Sequence, residues 1–92
     1  MEPVYEWNET KAKTNTEKHG VSFEEAITVF GDPLSITVPD PEHSAVESRW
    51  LALGYSDSGR LLVVVYTERE ARIRIISCRR ATNSERKAYE NE

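Results

Sequence analysis

A chain of 92 residues, with 38% hydrophobic residues, 9% aromatic residues and one cysteine, has the composition of one globular domain over residues 1–92 and excludes a disordered protein. One cysteine excludes an internal disulfide, and no metal-ligand spacing is visible, so neither a metal nor a cofactor is expected. Residues 1–6 lack the pattern of a signal peptide, and the longest apolar run, residues 61–66, is too short to span a membrane, so a cytoplasmic location without membrane contact is predicted.

The net charge of −4 is unevenly distributed. Residues 1–59 hold 4 basic and 11 acidic side chains, residues 60–87 hold 8 basic and 3 acidic ones, and the last five residues add −2. Such a chain can present a basic face to nucleic acid behind an acidic average. The alternative, that the two halves neutralise each other across the fold, is equally compatible with the charges.

The first third of the chain predicts a short strand over residues 5–7 and two helices. Asn8 is suited to cap the first helix, and Gly20 supplies the left-handed residue that ends it. Ser22 and Glu25 have the spacing of a capping box, in which the Glu25 carboxylate accepts a hydrogen bond from the Ser22 amide. Helical spacing predicts that the second helix turns four side chains to the core: Phe23, Ala26, Ile27 and Phe30.

From residue 34 the pattern becomes that of strands, separated by a polar loop and short turns. The predicted strands cover residues 34–38, 49–55, 61–67 and 71–78, and a capping box at residues 82–85 opens a last helix. The fold class is therefore α+β, with two N-terminal helices, a four-stranded antiparallel meander, a possible short first strand and a C-terminal helix. The helices are expected to cover one sheet face, while the other carries Arg72, Arg74 and Arg49.

Arginines concentrate on the last predicted strand and its flanks. A guanidinium group binds phosphate in a bidentate manner, so this strand is a candidate phosphate platform. An ordinary solvated face, with these arginines paired to nearby acids, is the commoner origin of such a pattern. The cluster within twelve residues comprises Arg69, Arg72, Arg74, Arg79 and Arg80.

The first helix carries a second polar cluster. Lys11, Asn15, Lys18 and His19 share one helical face, and a histidine can transfer protons near neutral pH. The more ordinary interpretation is that Lys18 and His19 complement the helix dipole. A third cluster, in the predicted loop and at the start of the following strand, comprises His43, Glu47 and Arg49.

Taken in order, these residues resemble the BrnT-type toxins. The resemblance extends over nearly the whole chain, with Asn8 where the family usually has Asp and Cys78 where Ala is commoner. It implies a RelE-like fold and a ribonuclease that stops translation as the toxin of a type II toxin–antitoxin pair. The implied partner is a BrnA-type antitoxin, whose ribbon-helix-helix segment binds operator DNA. The most specific matching segments are Lys18-His19-Gly20-Val21-Ser22-Phe23-Glu24-Glu25-Ala26 and Arg74-Ile75-Ile76-Ser77 followed by Arg79 and Ala81.

A metal-independent ribonuclease needs a base, an acid and cations that stabilise the reacting phosphate. Our hypothesis assigns the phosphate to Arg49, Arg74 and Arg79. His19 and His43 are alternatives for proton transfer, with Glu47 as a second candidate base. The candidate substrate-binding residues are Lys11, Lys18, Arg69, Arg72, Arg80 and Tyr89.

A catalytically inactive partner subunit is the alternative function. It would bind the antitoxin and act as a co-repressor, and the acidic first half, with a balance of −7, suits a basic partner.

Overall fold

The computed structural model describes residues 3–40 and 48–91. Within these residues the strands form one sheet in the order β1-β5-β4-β3-β2. β1 pairs parallel with β5, and the other neighbours are antiparallel. The elements are β1 (Val4–Glu6), α1 (Glu9–His19), α2 (Phe23–Ile27) with a 3-10 turn (Thr28–Gly31), β2 (Ile36–Pro39), β3 (Arg49–Tyr55), β4 (Leu61–Arg69), β5 (Arg72–Arg80) and α3 (Asn83–Glu90). None of the described helices is long and apolar enough to span a bilayer.

The α+β class is confirmed, and the sheet differs in detail from the prediction. The antiparallel meander of β2 to β5 is present, and the short first strand expected at residues 5–7 is present as β1 at Val4–Glu6. Its parallel pairing with β5, in register from Val4↔Arg72 to Glu6↔Arg74, was not predicted. A parallel neighbour requires a long connection, which here comprises α1, α2 and the meander. Three residues are too few to show a period, so the sequence could not indicate this pairing.

The ends of the helices follow local signals, with one exception. Asn8 accepts a hydrogen bond from the Lys11 amide at 3.0 Å, and Gly20 ends α1 with φ 69°. Ser22 caps α2 through the Glu25 amide, but the Glu25 carboxylate binds Arg60 and Ser56 instead of returning to Ser22. The predicted capping box of α2 is therefore wrong in its second half, because a distant cation competes for that carboxylate. The capping box of α3 is confirmed.

The core lies between the α1–α2 layer and one face of the sheet. Phe23 and Ala26 are fully buried, and Ile27 and Phe30 pack against the same cluster, as predicted. Cys78 is also fully buried, and burial raises the pKa of its thiol to about 12. The cluster is completed by Val21, Val29, Ala52, Leu62, Val64, Tyr66 and Ile75.

The opposite face of the sheet is also partly covered. Register places Leu61 and Val63 on this face, away from Leu62 and Val64, yet they are only 3% and 2% exposed. α3 contacts this face, because its residues Glu85 and Tyr89 touch Arg79 and Tyr55. The expectation that all helices cover one face is therefore wrong. The apolar run of β4 is that of a strand buried on both sides.

Candidate functional site

The sheet face opposite α1 and α2 carries most of the candidate arginines, and we call it the arginine face. Residues that pair directly across strands share a face of the sheet. On β4, Val63, Val65, Thr67 and Arg69 share one side, and the register therefore assigns their partners to it. The resulting members of the arginine face are Arg49, Arg69, Arg72, Arg74 and Arg79.

Arg49 and Arg74 flank the buried Thr67 in one row across three strands. Arg49 of β3 and Arg74 of β5 each pair with Thr67 of β4. Two strand spacings separate their Cα atoms by about 10 Å, which allows two long side chains to reach one anion. Thr67 is 2% exposed and donates its hydroxyl to the Ser48 carbonyl at 2.6 Å, which fixes the centre of the row. Among the described residues, Arg74 has no ion-pair partner.

Arg79 lies at the other end of the arginine face, beside α3. Its Nη1 and Nη2 donate to the two oxygens of Glu85 at 2.7 and 2.9 Å. This bidentate pair, with hydrogen bonds from Thr82, lowers the pKa of Glu85 to about 2 and raises the pKa of Arg79. In this structure the guanidinium that was assigned to phosphate fastens the first turn of α3 to the sheet.

The remaining arginines of this face lie near the β4–β5 hairpin. Arg72 is exposed and pairs with Glu6 at 3.7 Å. Arg69 stands opposite Arg72 in the last pair of the ladder. The Arg72–Glu6 and Arg60–Glu25 ion pairs show that some charges of the two halves of the chain neutralise each other. Arg74, by contrast, forms no ion pair with any described residue.

A groove between α1 and β5 brings together the basic residues predicted on the first helix. Its volume is about 260 Å³. Ser77 lies on the arginine face, two residues from Arg79 on β5, so the groove opens beside that face. The lining residues are Thr10, Lys11, Thr14, Asn15, Lys18, His19, Ile76 and Ser77.

Asn15 holds this groove together. It is 5% exposed, and its side-chain amide donates to the Val21 carbonyl at 3.0 Å and to the Cys78 carbonyl at 2.8 Å. Its side-chain oxygen accepts from the Cys78 amide at 3.0 Å. The side chain therefore completes the edge of β5 and positions α1 beside it. The sequence placed Asn15 on the polar face of α1 but did not reveal this role, since Cys78 is 63 residues away.

Tyr89 is distant from the other candidates. Its hydroxyl donates to Asp32 Oδ2 at 2.7 Å, which raises the pKa of Tyr89 to about 12. Burial raises the pKa of Asp32, but hydrogen bonds from Tyr89 and from the amides of Tyr55 and Leu34 more than offset it, so that this pKa is lowered. Tyr89 packs edge-on against Tyr55, at the opposite end of β3 from Arg49.

Several observations bear on the other candidates. His43 and Glu47 lie outside the described residues. Arg80 lies outside the arginine face, in a second cavity with Arg60 and Arg86. Sequence analysis did not select Arg60 and Arg86 as site residues. No cluster of three or more metal-ligating side chains occurs in residues 3–40 and 48–91.

The structure is that of a small α+β domain with a groove of basic side chains beside its arginine face. A solved structure described as the ribonuclease toxin BrnT of Brucella abortus has a similar fold, with a TM-score of 0.64 and 21% sequence identity. The alignment covers 87% of this chain and 99% of that one. No curated protein matches the chain significantly by sequence.

Residues 7–85 match the sequence model of a family described as "Ribonuclease toxin, BrnT, of type II toxin-antitoxin system". This match spans most of the chain. The protein therefore belongs to the BrnT family of ribonuclease toxins, as the resemblance in its sequence predicted.

Proposed function

We propose that this protein is an active, metal-independent endoribonuclease that cleaves RNA in the cytoplasm, inhibits translation and is neutralised by a BrnA-type antitoxin. In this proposal the antitoxin alone contacts operator DNA. The observation that carries the proposal is the groove in which Lys11, Lys18 and His19 come together beside the arginine face. Family membership supports the reaction class.

The chemistry follows from the reaction of RNA itself. A base removes the proton of a 2′-hydroxyl, whose oxygen attacks the adjacent phosphorus, and an acid protonates the departing 5′-oxygen. The products are a 2′,3′-cyclic phosphate and a 5′-hydroxyl. The intermediate phosphate gathers negative charge, which fixed cations stabilise. We assign proton transfer to His19, substrate positioning to Lys11 and Lys18, and charge stabilisation to Arg74 with Arg49.

Two further candidates belong to the same proposal. His43 and Glu47 precede Arg49 by six and two residues in the sequence, and we keep both as candidates for proton transfer. An imidazole or a carboxylate is the kind of group that can supply the second proton transfer that the reaction needs. Arg79 contributes to phosphate binding when Glu85 releases it.

Expression in bacteria with matched variants tests the proposal. The wild-type chain should arrest growth, coexpression of a BrnA-type antitoxin should relieve the arrest, and the purified protein should cut RNA in the presence of EDTA. His19→Ala and Arg74→Ala should each lower the cleavage rate at least about 100-fold, since each removes a proton-transfer or charge-stabilising group. Lys13→Ala, at an exposed position of α1 outside the groove, is the control. Full activity of both variants would remove these residues from the mechanism.

A catalytically inactive partner subunit is the second candidate function. It is favoured by the bidentate Arg79–Glu85 pair, which withholds a candidate phosphate-binding group from substrate. The acidic first half would then dock a basic antitoxin. Folded wild-type protein that neither arrests growth nor cuts RNA, yet binds the antitoxin, would establish this function.

A further inference from the structure

A second cavity lies at the end of the sheet, between the β3–β4 turn and the connection from β5 to α3. Its volume is about 380 Å³. Backbone hydrogen bonds fix its walls, because the Ala81 amide donates to the Leu61 carbonyl at 3.0 Å and the Ser56 amide to the Arg60 carbonyl at 2.9 Å. The lining residues are Gly59, Arg60, Leu61, Arg80, Ala81 and Arg86.

The charge of this cavity is positive. The Glu25 carboxylate neutralises Arg60, whose Nε donates to it at 2.9 Å, and Nη2 of Arg60 donates to the Gly20 carbonyl at 3.1 Å. Arg86 donates to the neutral Tyr55 hydroxyl at 3.2 Å. In the part of the chain that the structure describes, Arg80 has no ion-pair partner. Two arginines that form no ion pair with the described residues therefore line the same cavity, which favours an anion.

The size and lining of the cavity suit a phosphate group with its attached sugar. Guanidinium groups form paired hydrogen bonds with phosphate oxygens. The small residues Gly59 and Ala81 leave the entrance open, and a volume of about 380 Å³ exceeds that of a phosphate alone. Arg80 also lies six residues beyond Arg74 on β5, or about 20 Å along the strand. An RNA strand that reaches both places must extend over several nucleotides.

We propose that Arg80 and Arg86 form a second phosphate-binding site, which holds a backbone phosphate of the RNA several nucleotides from the bond that is cut. This inference rests on the proposed ribonuclease function and adds a determinant of substrate length to it. Long RNAs engage the site and short ones do not, so the site lowers KM for long substrates without taking part in the reaction.

The test compares a 20-nucleotide RNA with a tetranucleotide that contains the same cleavage site. The variants are Arg80→Ala, Arg86→Ala and, as a control, Lys87→Ala, which removes the same charge one residue from Arg86 and outside the cavity. Arg86→Lys retains the charge and controls for the loss of the Tyr55 contact. Binding is measured with 2′-O-methylated RNAs over a range of salt concentrations, and thermal melting confirms that each variant is folded. Inorganic phosphate, tested as a competitor, distinguishes a free anion from an RNA phosphodiester as the ligand.

Arg80→Ala and Arg86→Ala should each raise KM for the long RNA about 10-fold, leave kcat unchanged and leave both constants for the tetranucleotide unchanged. Each should also reduce the slope of log K against log salt by about 0.7, as expected for the loss of one contact to a single strand. Lys87→Ala should match the wild type.

Suppose that the wild type cuts both RNAs and that Arg80→Ala and Arg86→Ala behave as it does. That outcome would overturn the second site and leave the proposed function intact. If these variants bound RNA normally but were no longer neutralised by the antitoxin, the second RNA site would also be overturned. The cavity would then bind an acidic segment of the antitoxin. If inorganic phosphate bound in the cavity but the variants had no effect on the long RNA, the cavity would be a site for free anions, and the RNA site would be overturned. Wild-type protein that neither binds nor cuts RNA would contradict the proposed function and the second site together.

Discussion

At the scale of single residues, polar contacts between elements decide how the candidate site is held. Asn15 joins α1 to the edge of β5, and Arg79 joins β5 to α3 through Glu85. Both contacts link elements that flank the arginine face. A small domain has limited stability, so the loss of either contact should be measurable.

Replacement of Asn15 by alanine should lower the free energy of unfolding by about 2–4 kcal/mol. The change removes three hydrogen bonds and leaves the Cys78 amide and carbonyl unsatisfied at a buried position. Denaturant unfolding measures the effect. Lys13→Ala, exposed on the same helix, should change stability by less than about 0.5 kcal/mol. If the two variants were equally stable, Asn15 would not hold the groove together.

The Arg79–Glu85 pair should make stability depend on acid pH. The folded-state pKa of Glu85 is about 2, below the ordinary value of 4.5, so its contribution is complete above about pH 4.5 and lost as the pH falls towards 2. Because Arg79 is 38% exposed, solvent screening limits the contribution to about 1–2 kcal/mol.

Unfolding of Glu85→Gln between pH 2 and pH 7 measures this contribution. The variant should be less stable than the wild type at pH 7, and the difference should shrink as the pH falls below 4.5. Glu90→Gln, on the exposed side of α3, is the control. A difference that stayed constant over the whole range would show that the charge of Glu85 is irrelevant to stability.

At the scale of elements, the β4–β5 hairpin is longer than the sequence predicted. The turn was placed at residues 68–70, but β4 continues to Arg69 and β5 begins at Arg72. Glu70 and Ala71 form the two-residue connection with φ of 49° and 67°. A tight hairpin requires left-handed residues there, usually Asn-Gly, and without that pair the sequence predicted the turn but not its two central residues.

The double substitution Glu70→Asn and Ala71→Gly should raise the free energy of unfolding by about 1–2 kcal/mol, because it relieves two left-handed residues that carry a Cβ atom. Thermal and denaturant unfolding test this. Ala88→Gly, in the exposed part of α3, should lower stability instead, by about 1 kcal/mol. A destabilised hairpin variant would mean that the turn has another conformation.

At the scale of the whole molecule, the uneven charge has two consequences. Some basic residues of the second half are neutralised by acids of the first half, as in Arg60–Glu25 and Arg72–Glu6. Others stay uncompensated among the described residues and lie on the arginine face or in the Arg80–Arg86 cavity. A protein with a net charge of −4 thus presents a local cationic surface.

RNA binding should therefore weaken steeply with salt despite the acidic net charge. Contacts to two to four phosphates predict a slope of log K against log salt of about −1.5 to −3. Fluorescence anisotropy measures the slope between about 50 and 200 mM salt, the range over which salt changes such affinities strongly. Arg74→Ala should make it shallower and Lys13→Ala should not. Binding that is independent of salt would exclude the arginine face as the contact surface.

The sequence by itself determined what depends on neighbouring residues. Asn8 and Gly20 mark the ends of α1, the capping box opens α3, and alternation along β5 separates arginines from apolar side chains. These signals act within one turn of helix or a few residues of strand, so they can be recognised without the rest of the molecule. The order of the matching motifs also identified the family, which the comparison confirmed.

Only the tertiary structure decided which distant groups meet. It paired β1 with β5, drew Glu25 away from its predicted cap to Arg60, joined Asn15 to Cys78 and placed α3 on the arginine face. It also separated Arg80 and Tyr89 from the other candidates. Contacts between residues 35 or 63 positions apart depend on how whole elements pack, and the chain has no local period that encodes them.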